Sequence, residues 1–186
     1  MRDLIVTAFV SLDGVMEAPG GGDHRNAGWT FQAVELDPEA YELKGREQEE
    51  AGALLLGRRT YAEFAPVWPS MEEFERYNAL PRYVVSTTLT EDDPGWPATI
   101  LRSVDDVAAL KEGDGDPIQV HGSATLGASL ADADLVDRYH LLVFPVLLGA
   151  GRRLFSETDK DTTRLELVEH AVYGNGVQKQ VFDVVR

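Results

Sequence analysis

The sequence predicts an α/β fold with a mainly parallel central sheet, helices on its faces and a C-terminal antiparallel hairpin. Three observations carry this. Apolar, β-branched runs alternate with helix-period segments from residue 4 to residue 148, and consecutive parallel strands need such crossovers. Gly174-Asn175-Gly176 separates two alternating apolar segments, LELVEHAVY and VQKQVFDVV, and an Asn-Gly turn in that setting is a hairpin signal. The 186 residues with 44% hydrophobic content suit one domain, 1–186, with a full core.

Taken in order, LIVTAFV (4–10) is rich enough in β-branched and aromatic residues to be a buried strand, and SLDG turns the chain after it. Residues 14–33 carry APGGGDHRNAGW, too glycine-rich to pack tightly and too long for a simple connector, which suggests a mobile lid. From Glu35 to Glu50, Val34, Leu36, Ala40 and Leu43 give one apolar face on an otherwise acidic, solvated helix. ALLLG (53–57) is a short strand, and a helix opens near Thr60. YVVST (83–87) and IQVHG (118–122) are strands, separated by the helix VDDVAALKEG (104–113). ATLGASLADADL (124–135) reads as the next helix and RYHLLVFPVLL (138–148) as a long strand.

Composition removes several functions. With 32 acidic against 17 basic residues the formal charge is −15, so the long-range field repels nucleic acids and anionic lipid. Cysteine is absent, which excludes disulfides, thiolate catalysis and cysteine-ligated metals. The histidines form no close helical pair with a carboxylate, so no metal site is expected. The N-terminal apolar run is flanked by Asp3 and Asp13 without a small-residue cleavage site, and the uncharged stretch 141–151 is short and holds a proline. A cytoplasmic protein is expected.

In an open α/β sheet, ligands settle beyond the carboxyl ends of the strands. Three strand ends carry polar or glycine-rich signals: Gly57-Arg58-Arg59-Thr60, Ser86-Thr87-Thr88 and His121-Gly122-Ser123-Ala124-Thr125. Together they offer guanidinium groups for phosphate, hydroxyls for ribose, and glycine where backbone must approach a pyrophosphate. Taken singly, Thr60 and the SAT segment would serve as helix caps, and Ser86 to Thr88 as a turn. Gly149-Ala150-Gly151 begins a dinucleotide fingerprint, but Leu154 stands where its third glycine belongs; no phosphate-binding G-x-x-x-x-G-K-[ST] and no G-x-S-x-G elbow occurs. The candidate acids are Asp13, in the first turn, and Glu35, opening the first helix; turn formation and helix-dipole complementarity are their structural alternatives. His121, ending a strand at the mouth of this edge, is the histidine placed to meet substrate, with core packing as its alternative.

The ordered set SLDGVMEAP, Gly28-Trp29, LLLGRRTYAEF, VVSTTL, VHGSATLGASLADADLVDRYHLLVFPVLLGAGRRLF and the final hairpin resembles the dihydrofolate-reductase-like proteins that share the reductase domain of the bifunctional riboflavin deaminase/reductase. The resemblance spans nearly the whole chain. It implies a dihydrofolate-reductase-like three-layer fold, NADPH as cofactor and a homodimer. By the same resemblance Gly57, Arg58, Arg59 and Thr60 hold phosphate, and Ser86 and Thr87 lie near the adenosine. Gly122, Ser123, Ala124, Thr125 and Leu126 meet the pyrophosphate, Ala8 and Asp13-Gly14 flank the nicotinamide, and Trp29 with the glycine-rich loop covers the substrate. Glu35 lies near the place of the first-helix carboxylate of folate reductases. The implied reaction is hydride transfer to a small pterin- or pyrimidine-like molecule, of the 5-amino-6-(5-phosphoribosylamino)uracil reductase type. Dihydrofolate reduction and a catalytically silent nucleotide-binding module are the alternatives.

Overall fold

Eight strands form one sheet in a computed structural model that describes residues 1–93, 95–155 and 162–186. They are β1 (Leu4–Ser11), β2 (Ala53–Gly57), β3 (Arg82–Val85), β4 (Thr99–Leu101), β5 (Ile118–His121), β6 (Arg138–Phe144), β7 (Arg164–Val172) and β8 (Gln178–Val185). Their spatial order is β4-β3-β2-β5-β1-β6-β8-β7. The first six run parallel, and β8 and β7 are antiparallel. The chain therefore starts in the middle of the sheet, which is why β1 is buried along almost all its length. β7 closes the sheet as an edge strand, with Leu165, Leu167, Val168 and Val172 exposed.

Helices cover both faces. On one, α5 (Val104–Glu112) and α6 (Ala124–Asp132) pack Val107, Leu126 and Leu130 against Leu4, Val6, Ile118 and Val120. On the other lie α1 (Trp29–Gln32), α2 (Glu42–Glu50), α3 (Arg58–Phe64) and α4 (Glu75–Ala79). Leu43 of α2 joins Trp29, Leu142 and Phe144 there, and Tyr61 and Tyr77 join Leu54, Leu56, Trp68 and Trp96. The three-layer α/β architecture is the one the sequence predicts. No helix among the described residues is long and apolar enough to cross a membrane.

Several boundaries differ, each for a local reason. The helix expected from Glu35 starts only at Glu42, after a 3₁₀ turn at Pro38–Tyr41. Asp37 precedes a proline, which disfavours helical backbone, and it is extended with its carboxylate accepting from the Glu39 N–H. Leu36 is consequently exposed rather than part of an apolar face. β6 stops at Phe144 because Pro145 has no N–H to continue the ladder. β4, three residues at the far side of β3, is too short for its periodicity to be read. The hairpin forms as expected: Gly176 adopts φ +83°, its N–H donates to Tyr173, and Asn175 Oδ1 accepts from the Val177 N–H.

Candidate active site

The register places a crevice at the end of β5. Thr7 of β1 pairs with His121, the last residue of β5, and Leu55 of β2 pairs with Val120. Gly57 and Gly122 thus leave the sheet at the same level, while β1 and β6 continue to Ser11 and Phe144. From that level β2 feeds α3 on one face and β5 feeds α6 on the opposite face. Diverging connections of neighbouring strands open a crevice at their carboxyl ends.

Two strand ends are knotted together there. The Gly57 N–H donates to Ser123 Oγ at 2.8 Å, and that hydroxyl lies 2.8 Å from Thr60 Oγ1. Gly122 and Ser123 both adopt left-handed backbone, φ +60° and +63°. A Cβ on Gly122 would come within 3.1 Å of Thr60 Cγ2 on a left-handed backbone, which favours glycine between β5 and α3. Thr60 does not cap a helix, because α3 already begins at Arg58; its hydroxyl serves the knot instead. α6 has no side-chain cap, which leaves the first N–H groups, those of Ala124, Thr125 and Leu126, to meet an anion.

Guanidinium groups stand at the start of α3 and beside the first turn. Arg58 and Arg59 are exposed at the start of α3, and Arg59 Nη1 lies 3.7 Å from Glu17 Oε1. The same carboxylate accepts the Arg152 N–H at 2.9 Å and stands 3.8 Å from Arg152 Nε. Arg153 Nη1 reaches within 3.6 Å of where a Gly14 Cβ would stand. The GAGRR segment, no dinucleotide fingerprint by sequence, thus brings two further arginines beside the first turn. Further along the edge, Ser86 Oγ accepts from the Thr88 and Leu89 N–H groups at 3.2 and 2.9 Å, which makes it a turn cap. Arg102, just past β4, donates to the Ser86 and Leu89 carbonyls at 3.0 and 2.6 Å, and Thr87 is exposed beside it.

Asp13 sits in surroundings that favour its ionised form. Asp13 accepts from Ser11 Oγ at 2.7 Å and from the Leu148 and Gly149 N–H groups at 3.1 and 2.8 Å. The Ser11 bond foremost, with these amides, holds its pKa down at about 2, so it is ionised and structural at neutral pH. Glu35 is exposed on the segment before Pro38, and its carbonyl accepts from Asn175 Nδ2 at 2.9 Å. Its backbone is thereby tied to the hairpin turn.

Trp29 and the glycine-rich loop also differ from a free lid. The Trp29 indole is buried, donates to the Glu17 carbonyl at 2.9 Å and meets Phe144 edge-on at 5.3 Å. Thr30 Oγ1 donates to Pro19 at 2.7 Å, and the Gly28 N–H donates to Ala18. The loop is stitched down over the ends of β1 and β6. Ala8, next to Thr7 on β1, has its side chain in the core on the α5 and α6 side.

Where the sequence offers a solvated helix, the structure buries a polar cluster. Glu47 of α2 is 1% exposed. Its Oε1 accepts from Thr7 Oγ1 at 2.8 Å and lies 3.0 Å from His140 Nδ1, and Lys44 Nζ stands 3.3 Å from its carboxylate oxygens. Lys44 Nζ also contacts Thr7 Oγ1. His121 is boxed edge-on by Trp68, Phe64 and Tyr77 at 5.1, 5.8 and 5.8 Å, and its Nδ1 has no partner among the described residues. Lys44 and Glu47, three apart on a polar helix, carry no sequence signal beyond an ordinary i,i+3 ion pair.

Comparison with known proteins fits this geometry. The model of the RibD C-terminal domain family matches residues 2–179. The Bacillus subtilis (strain 168) uncharacterized protein YyaP is 26% identical over 188 residues, covering 97% of this chain and 94% of its own. A Shewanella sp. PV-4 protein named for riboflavin biosynthesis superposes with a TM-score of 0.77 at 22% identity, over 100% of both chains. The Enterococcus faecalis dihydrofolate reductase complexed with NADP(H) gives 0.66 at 14%, over 99% of this chain and 97% of that one. The Thermotoga maritima diaminohydroxyphosphoribosylaminopyrimidine deaminase/5-amino-6-(5-phosphoribosylamino)uracil reductase gives 0.67 at 14%, over 99% of this chain and 57% of that one. The three-layer fold is shared with all three structures, and the match over residues 2–179 decides the family: this chain belongs to the RibD C-terminal domain family.

Proposed function

We propose that this chain is an NADPH-dependent reductase of the riboflavin-biosynthesis type, acting on a small pyrimidine-like heterocycle. The observation that carries the reading is the knot of Gly57, Thr60, Gly122 and Ser123, which fixes the uncapped N-terminus of α6 beside a guanidinium-bearing loop. These residues fit a dinucleotide. Gly122 leaves room for close backbone approach, the amides of Ala124, Thr125 and Leu126 suit a pyrophosphate, and Arg58 or Arg59 suits the 2′-phosphate. Ser86 shapes the adenosine end through its turn, with Thr87 and Arg102 as the groups left to touch ligand. When bound, NADPH supplies a hydride; the chain supplies placement and charge. Family membership and the fold shared with an NADP(H)-complexed reductase support the same reading.

Dihydrofolate reduction, with Glu35 as its carboxylate, is the alternative reading. The test is a tryptophan-fluorescence titration with NADPH and NADH on the wild type, Arg58→Ala and Arg59→Ala. NADPH is expected to bind more tightly, and at least one variant to lose about tenfold of that preference, the worth of one charged hydrogen bond. Equal affinity for both cofactors, unchanged in both variants, contradicts the phosphate clamp. Substrate-dependent NADPH oxidation separates the enzyme from a silent nucleotide-binding module.

A further inference from the structure

A carboxylate, Glu17, stands beside a crevice suited to phosphate, paired with one of the arginines that would hold the phosphate. We infer that Glu17 is an internal competitor for the diphosphate of the ligand: its carboxylate holds Arg59 across the end of β5, and a diphosphate must draw Arg59 away from it. This inference rests on the dinucleotide reading of the crevice and concerns what sets the affinity of that site.

Topology places the ion pair. β5 lies between β2 and β1 in the sheet. Arg59 belongs to the connection that leaves β2, and Glu17 to the one that leaves β1. Neighbouring strands are about 4.8 Å apart, so a contact between these two connections bridges the gap left by the end of β5. Arg59 Nη1 and Glu17 Oε1 make that contact at 3.7 Å. The end of β5 leads through Gly122 and Ser123 into the uncapped first turn of α6, whose amides suit a pyrophosphate. Ser86 and Thr87, at the adenosine end, follow β3 on the far side of β2. Arg59 therefore leans toward the pyrophosphate and away from the adenosine, which leaves the 2′-phosphate to Arg58.

The two partners are held unequally. The Glu17 carbonyl accepts from the Trp29 indole at 2.9 Å, its Oε2 accepts the Arg152 N–H at 2.9 Å, and the preceding Met16 N–H donates to the Arg152 carbonyl at 2.8 Å. Its side chain is 26% exposed, whereas that of Arg59 is 56% exposed and has Glu17 as its one partner among the described residues. Arg59 is thus the half that moves. A carboxylate beside an anion site repels the ligand's charge, and an arginine already paired serves the ligand less until that pair opens. Arg152 Nε, 3.8 Å from Glu17 Oε1, keeps a counter-charge on the carboxylate after Arg59 has left. The Arg59 contact is exposed and longer than a hydrogen bond, so giving it up costs little.

The test is calorimetric titration of the full chain with adenosine 5′-diphosphate, NADPH and NADH, on the wild type, Glu17→Gln, Arg59→Ala and the double variant. Glutamine keeps an acceptor for the Arg152 N–H, and circular dichroism checks that each variant folds. At low salt Glu17→Gln is expected to bind all three ligands about threefold more tightly, the scale of an exposed ion pair, with the preference between NADPH and NADH unchanged. High salt should shrink the gain. In the Arg59→Ala background Glu17→Gln should lose most of it, because no arginine is left to release. Unchanged or weaker binding by Glu17→Gln overturns the inference, and so does a gain of the same size without Arg59. A gain confined to NADPH would put the 2′-phosphate on Arg59 and overturns it as well. Normal wild-type binding with no gain overturns the role of Glu17 alone, whereas a wild type that binds none of the three overturns the dinucleotide reading and with it this one.

Discussion

Replacing Glu47 with leucine is expected to lower the unfolding free energy by about 3–5 kcal/mol, the typical cost of removing one partner from a buried ion pair. Urea unfolding followed by tryptophan fluorescence measures it. The carboxylate is 1% exposed and holds Thr7, Lys44 and His140 at once. Its removal strands the Lys44 ammonium without a counter-charge and leaves Thr7 and His140 with lost bonds. Burial alone would raise the Glu47 pKa, but the Lys44 charge and the His140 hydrogen bond outweigh it and hold the pKa at about 2. A depressed carboxylate pKa contributes stability that is present above the unfolded value of 4.5 and is lost as pH falls toward about 2. The Leu variant should therefore be less acid-sensitive over that range as well as weaker. A loss below about 1 kcal/mol, the scale of a surface ion pair, would show the cluster to be solvated.

The His121→Phe variant should keep more of its stability on acidification than the wild type, by about 2 kcal/mol between pH 7 and pH 4. Burial, aided by the nearby Lys44 charge and opposed by Glu47, pushes the His121 pKa from 6.5 down to about 4. The folded protein thus keeps the ring neutral where the unfolded chain protonates it. Stability falls as pH drops from about 6.5 and goes on falling until about 4, where the folded ring also charges. The magnitude is set below the full value of the shift because the residue is only half-buried. Phenylalanine fits among Phe64, Trp68 and Tyr77 and removes a ring nitrogen that has no partner among the described residues. Thermal unfolding at a series of pH values checks this. Parallel stability profiles for wild type and variant would contradict it.

Features governed by local chemistry were legible in the sequence. The Asn175-Gly176 turn, the alternation that makes the sheet parallel, and the glycine between β5 and α6 each follow from residues adjacent in the chain. Polar groups whose roles depend on a distant partner were not. Thr60 reads as a helix cap until Ser123 is brought beside it, and Ser86 reads as a ribose contact until its hydroxyl is seen to close a turn. Asp13 and Glu35 were the visible carboxylates near the right elements. Glu47 was hidden in a helix of charged residues, because only the packing of α2 across Thr7 and His140 buries it. Arg152 and Arg153 lay in a segment set aside for lacking a third glycine, yet Glu17 and Gly14 draw them to the first turn.

The central claim is that a dinucleotide lies across the carboxyl ends of β2 and β5. Backbone amide chemical-shift mapping during NADPH titration of the isotope-labelled protein tests it most directly. The account predicts saturable shifts concentrated at Gly57 to Thr60 and at Gly122 to Leu126, with smaller ones at Thr87 and Arg102. Shifts confined to the opposite end of the parallel strands, around Met1, Lys111 and Arg186, or no saturable change in either strand-end segment, would contradict it.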